Sequence, residues 1–151
     1  MKKIYLLKDY KDRFGSKKTS VPYRSGMNKN KLQKYFNSFG YQCIFKNFSE
    51  INFREDWENK TILYTSQEDE DYNYKSYIED IVYGLKLNGA NVIPKYRYLR
   101  ANNNKVFMEI LRDQINLPSI KSIKSRHFGT KEELLDNIDN IKYPVVIKKA
   151  E

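Results

Sequence analysis

The segment Arg24-Ser25-Gly26-Met27-Asn28 has the makings of an anion cradle: a guanidinium, a glycine and a residue suited to cap a helix follow one another. Backbone N–H groups at such a helix entry point toward a ligand, and the helix dipole favours negative charge there. Upstream, Gly15-Ser16-Lys17-Lys18-Thr19-Ser20 shares part of the phosphate-loop pattern. Position 10 is Tyr where the first glycine belongs, and Lys17 follows Ser rather than Gly, so the segment reads as a polar loop. The acidic run Glu68-Asp69-Glu70-Asp71 could suggest a cation site, but ahead of a helix it more simply complements the N-terminal dipole. His127 is the sole histidine and has no Ser or Cys partner placed by any motif, so it reads as a surface residue at a strand end. Cys43, the sole cysteine, excludes an internal disulfide and a Cys-based metal site. It reads as a small core residue.

These groups need elements to hold them. Lys2–Lys8 reads as a buried strand, with Ile4, Tyr5, Leu6 and Leu7 in a row rather than alternating. Residues 10–27 show no period and form a long loop, a length that in a compact domain points to function or disorder. Asn28 is placed to cap a helix over Lys29–Ser38, with Leu32, Tyr35, Phe36 and Phe39 on one face and Gly40 as its stop. Strands are expected over Tyr41–Phe45, Thr61–Thr65 and Asn91–Ile93. A helix from Tyr72 or Asn73 to Leu87 carries Tyr74, Tyr77, Ile78, Ile81, Val82 and Leu85 at helical spacing and ends at Asn88-Gly89. The order strand, helix, strand, strand, helix, strand predicts an α/β fold with a Rossmann-like parallel sheet and helices on its faces. Ligands of such sheets bind beyond the carboxyl ends of the strands, where the loop after the first strand must lie.

From Asn102 the pattern changes. A helix is expected over Lys105–Ile115 with Val106, Ile110 and Leu111 inward, and a strand over Ile120–Arg126. Thr130 and Glu133 form a capping box for a helix over Glu132–Ile138 that buries Leu134, Leu135 and Ile138. Tyr143-Pro144-Val145-Val146-Ile147-Lys148-Lys149 reads as a final strand.

Composition bounds the class. A chain of 151 residues suits one domain, or one domain and the start of another. No stretch nears the roughly 20 apolar residues that a spanning helix needs, and no secretory segment opens the chain. No membrane partner is expected, and a reducing, cytoplasmic setting fits best. The formal net charge of +9 invites a nucleic-acid reading. The lysines, however, are spread along the chain beside many Asn, Ile and Tyr, and the densest clusters (residues 8–18 and 121–126) are short and interrupted. This reads as a compositional bias, and weighs against a nucleic-acid partner.

The last third is more specific. Asn104-Lys105-Val106 to Asn116-Leu117-Pro118, then Phe128-Gly129-Thr130-Lys131-Glu132-Glu133-Leu134, then Tyr143-Pro144-Val145-Val146-Ile147-Lys148 resembles the entry to the ATP-grasp fold of D-alanine–D-alanine ligases and biotin carboxylases. Lys105 and Lys148 lie 43 positions apart, and the resemblance implies that both face the phosphates of ATP. Ammonium groups from two elements can meet phosphates as point charges where bidentate geometry is not required. The resemblance further implies a pre-ATP-grasp α/β domain over residues 1–100 and the beginning of an α+β ATP-grasp domain over 101–151. The implied activity joins a carboxylate to an amine or related nucleophile through an acyl-phosphate, with ATP and Mg²⁺ as cofactors. On this reading the chain stops at Glu151 short of the glycine-rich loop and the Mg²⁺ ligands, so alone it should not turn over ATP.

Substrate-binding candidates are Tyr23, Arg24 and Ser25 in the long loop, with Arg97 and Arg100 flanking the passage to the second domain. The partners implied are ATP and small-molecule or peptide carboxylates and amines, and because many members of the family pair, a homodimer is admitted. Two other readings stand beside this one. One is a non-catalytic basic α/β domain binding a nucleotide, polyanion or protein partner; the other is part of a sugar-nucleotide enzyme, since doubly wound domains serve many functions.

Overall fold

A computed structural model describes residues 1–15, 26–66, 73–102, 104–115 and 117–148. The chain forms two compact units, Met1–Leu99 and Arg100–Glu151. No helix among the described residues is long and apolar enough to cross a membrane.

The first unit is α/β. Its strands β1 (Lys2–Lys8), β2 (Tyr41–Asn47), β3 (Thr61–Tyr64) and β4 (Asn91–Ile93) form one sheet in the order β2-β1-β3-β4, every pair parallel. Helix α1 (Lys29–Ser38) packs through Leu32 and Phe36 on Ile4, Leu6, Cys43 and Leu63. Helix α2 (Tyr74–Leu87) packs through Ile78, Val82 and Leu85 on Tyr5, Leu7, Ile62, Tyr64 and Val92. Successive strand residues point to opposite faces, so the two helices cover opposite faces of the sheet. That is why β1 is apolar at four consecutive positions: Ile4, Tyr5, Leu6 and Leu7 are all buried, two per face. Each fully buried aliphatic side chain contributes about 1.5–3 kcal/mol.

Local chemistry sets the element ends. The Asn28 side chain accepts from Lys31 N–H at 3.0 Å and opens α1, and Gly40 (φ 79) closes it. The anticipated stripe of α1 is only half used: Leu32 and Phe36 pack, whereas Tyr35 and Phe39 are each 63% exposed. Between β2 and β3 an irregular crossover takes the place of a helix. It begins with a 3₁₀ turn (Phe48–Glu50) and buries Phe48 and Trp57 on the α2 face. After β4, helix α3 (Tyr96–Ala101), which the periodicity does not reveal, buries Leu99.

The second unit holds α4 (Lys105–Gln114), α5 (Pro118–Lys121), α6 (Lys131–Asp136) and a 3₁₀ turn (Ile138–Asn140). Asn104 caps α4 by accepting from Phe107 N–H at 2.8 Å, and the expected capping box of Thr130 and Glu133 is present. Polar ties hold α4 to the segment after α5. Arg112 donates to Ser125 Oγ at 2.9 Å, and Ser125 donates to Glu109 at 2.6 Å.

Three expectations for this unit are corrected. Ile120–Arg126 is not a strand; Pro118 at a first helical position starts α5 instead. Residues 143–148 form no strand, because among the described residues no other strand lies alongside to complete a ladder. Leu135 and Ile138 are exposed rather than buried, as is Ile110, and no described residue of 100–148 is buried. The apolar stripes of α4 and α6 thus lack a core of their own among these residues.

Candidate functional site

The connections β1–α1–β2 and β3–α2–β4 leave β1 and β3 in opposite directions, so the strand order reverses between these two neighbours. The crevice beyond their carboxyl ends is the place where such sheets hold ligands. In this chain it is built on the turn that follows β1. The Asp9 carboxylate is buried and accepts from Lys11 N–H (2.9 Å) and Arg13 N–H (2.8 Å), while its own N–H donates to the Arg13 carbonyl (2.9 Å). An Asp side chain folding its own downstream backbone is the usual role of this residue at a turn. The Arg13 guanidinium packs back on Asp9 at 3.7 Å.

Two bonds tie this turn to neighbouring elements. Gly15 N–H donates to Thr65 Oγ1 at 3.1 Å, just past β3. Tyr10 N–H donates to the Tyr74 hydroxyl at 3.1 Å, with the two rings edge-on at 4.9 Å. Burial pushes the Tyr74 hydroxyl up to about 12, so at neutral pH it stays protonated. The far end of the loop returns to the same place. Met27 N–H donates to the Phe14 carbonyl at 2.7 Å, and a Cβ on Gly26 would lie 2.9 Å from that oxygen. Only glycine lets the backbone come so near.

Asp12, in the left-handed region (φ 60), holds its carboxylate between the ammonium groups of Lys8 and Lys29. Hydrogen bonds from Lys29, then Lys8, lower its pKa from 3.8 to about 2. A depressed carboxyl favours the fold above its unfolded pKa, and that contribution is lost as pH falls from 3.8 toward 2. Carbon-detected NMR should therefore show Asp12 titrating near 2 in the native chain and moving back toward 3.8 in Lys29→Ala; a native midpoint at 3.8 would refute the bridge.

Asp12, Arg13, Gly26, Met27, Asn28, Lys29 and Asn30 line an open depression of about 340 Å³ at the start of α1. Of the donors anticipated for an anion, Met27 N–H is spent on Phe14, and Lys31 N–H on the Asn28 cap. The first-turn amides of Lys29 and Asn30 remain at the helix mouth. The depression can receive a small anion, and Lys8 and Lys29 can follow it if Asp12 yields them.

The remaining sequence candidates fall elsewhere. Tyr23, Arg24 and Ser25, like the acidic run 68–71, lie outside the described residues. Arg97 is exposed on α3 in the first unit and stacks over the neighbouring Tyr98 ring at 5.1 Å. Arg100 is exposed near the end of α3. Lys105 is the first residue of α4 and partly exposed; Lys148 is exposed after the apolar Val145-Val146-Ile147 run. The two lysines stand on separate segments of the second unit. Among the described residues no three His, Cys, Asp or Glu side chains come together as a metal site would need.

Sequence reasoning missed Asp9, Asp12, Lys29 and Thr65. The signal for the first two was an Asp-x-x-Asp directly after a strand and ahead of a glycine, where side-chain-to-backbone turns fold. No family model matches the chain, and no curated protein or solved structure matches it.

Proposed function

We propose that these residues form the opening part of an ATP-dependent ligase of the ATP-grasp type, which activates a carboxylate as an acyl-phosphate and passes it to an amine or related nucleophile. The observation that carries this reading is the succession within 100–148: a capped helix led by Lys105, a capping-box helix at Thr130, then an exposed apolar segment that ends in Lys148. The absence of a buried core in that stretch supports it too, since the apolar faces of α4 and α6 and the exposed Val146 and Ile147 call for further elements of the same module. A parallel sheet with a crevice at β1 and β3 precedes it, suited to hold the carboxylate or amine substrate. Lys105 and Lys148 would hold ATP phosphates, and the ligands of Mg²⁺ would come from outside the described residues.

The test uses a polypeptide that continues past Glu151 through the rest of such a module. Lys148→Ala should weaken ATP binding about tenfold or more by calorimetry, near 1.4 kcal/mol. Hydroxylamine should trap an ATP-dependent hydroxamate from the carboxylate substrate. Unchanged ATP affinity removes the role of Lys148, and no hydroxamate with any of a panel of carboxylates removes the ligase reading.

A second reading, a non-catalytic basic module for a nucleotide or polyanion, is favoured by the Lys8, Arg13 and Lys29 cations around the 340 Å³ depression. It requires that ATP or polyphosphate bind the chain 1–151 with an affinity that falls steeply with salt.

A further inference from the structure

Of the sheet's two edges, β2 is the longer, and no strand among the described residues pairs on its outer side. Natural sheets protect such an edge by keeping it short or placing charge, proline or a bulge on it. On β2 only the charge is present. It is seven residues long, contains no proline, and its one charge is Lys46. That ammonium is engaged by Glu55 at 3.7 Å and lies over the Trp57 ring at 5.6 Å. A seven-residue edge guarded by one lysine, already engaged by Glu55, is a template for another extended chain.

Next to it, α1 packs on β2 and leaves aromatic surface uncovered. Tyr35 and Phe39 are mostly exposed, with ring centroids 5.0 Å apart, and Met27 is 54% exposed close by. Lys31 and Lys34 are exposed on the same helix, which has no acidic residue in its first turn. Over α1 and β2 (29–47) the charged residues are Lys29, Lys31, Lys34 and Lys46; Lys29 and Lys46 are engaged by Asp12 and Glu55, and Lys31 and Lys34 face solvent.

We infer that the β2 edge and the adjoining α1 surface dock an extended, acidic polypeptide segment. The free edge selects a peptide backbone, because another strand completes in register the ladder of N–H and C=O groups that otherwise faces water. Lys31 and Lys34 select a negatively charged strand, and the exposed rings select apolar residues between its charges. A second copy of this chain is disfavoured as occupant, since its own edge carries the same positive excess. Nucleic acid would meet the lysines and rings but leave the strand edge unpaired. This inference is independent of the ligase reading and can fail or hold without it.

The test is a titration of the whole chain into a fluorescein-labelled peptide alternating glutamate with valine, read by anisotropy at low salt, with amide exchange measured in parallel. The peptide should bind, binding should weaken with salt, and amides within Tyr41–Asn47 should exchange more slowly in the complex. Lys31→Glu with Lys34→Glu should weaken binding about tenfold. The same charge change at Lys124 and Lys131, in the second unit, should leave it unaltered. The inference is overturned by no binding at low salt, by an equal loss from the Lys124/Lys131 control, or by binding without slowed exchange over β2. Binding of an oligothymidylate as tight as the peptide, again without slowed β2 exchange, would overturn it in favour of nucleic acid.

Discussion

Replacing Trp57 with alanine should cost about 3–5 kcal/mol of stability, the largest loss expected at any single core position of the first unit. Trp57 is 1% exposed, meets Tyr5 edge-on at 5.3 Å and lies beneath Lys60 at 5.0 Å. Its indole N–H donates to the Asn52 carbonyl at 2.8 Å, which pins the irregular crossover that stands in for a helix. The substitution therefore opens a large cavity and strands a backbone acceptor together. Trp57→Phe keeps a ring against Tyr5 and loses the hydrogen bond, so it should cost less, about 1 kcal/mol for that bond plus a smaller cavity. The urea midpoint of the circular dichroism transition is the measurement. An alanine variant within about 0.5 M of the wild type would show that the crossover is dispensable, given slopes of roughly 1–3 kcal/mol per molar urea.

Asp9→Ala should be the most damaging polar substitution, at about 3 kcal/mol. It leaves two amides of the turn without their acceptor and leaves the Arg13 guanidinium, 18% exposed, facing an apolar methyl. Asp9→Asn retains one acceptor oxygen and should fall between alanine and wild type. The distinguishing readout is hydrogen exchange. In Asp9→Ala, the amides of Lys11, Arg13 and Gly15 should exchange faster, while those of Ile62 and Leu63 follow only the global loss. If the turn amides remain as protected as in the wild type, Asp9 does not organise the crevice.

The elements that could be read from sequence are those whose own residues decide them. The bounds of β1, α1 and β4 agree with expectation because an apolar run, an Asn cap with a Gly stop and a closing Pro94 are local signals. The capping box at Thr130 is equally local. What failed depended on partners. A run such as Ile120–Arg126 suits a strand or a short helix; Pro118 drew its first two residues into α5, and 122–126 are irregular. Val145–Ile147 is apolar enough for a strand, but a strand exists only beside another one.

The site divides in the same way. The capped start of α1 was visible, because Asn28 announces it. The Asp12 bridge was not, since Lys8 and Lys29 are 21 positions apart and meet only where the end of β1 and the start of α1 come together. Likewise Lys31 and Lys34 are plain in the sequence, but they gain meaning only when β2 proves to be an edge strand.

The joint formed by Gly15, Gly26 and Phe14 has a consequence for how this molecule can be altered. Gly15 is moored to Thr65 and Met27 to Phe14, so the two ends of the ten-position stretch 16–25 are fixed by contacts that lie outside it. That makes the pair of glycines a splice site. Whatever sequence is set between them starts and ends on these two fixed points, and doubling its length adds only about 0.6 kcal/mol of closure cost. The stretch can therefore be exchanged by cassette, in the laboratory or over generations, while the sheet is left as it is.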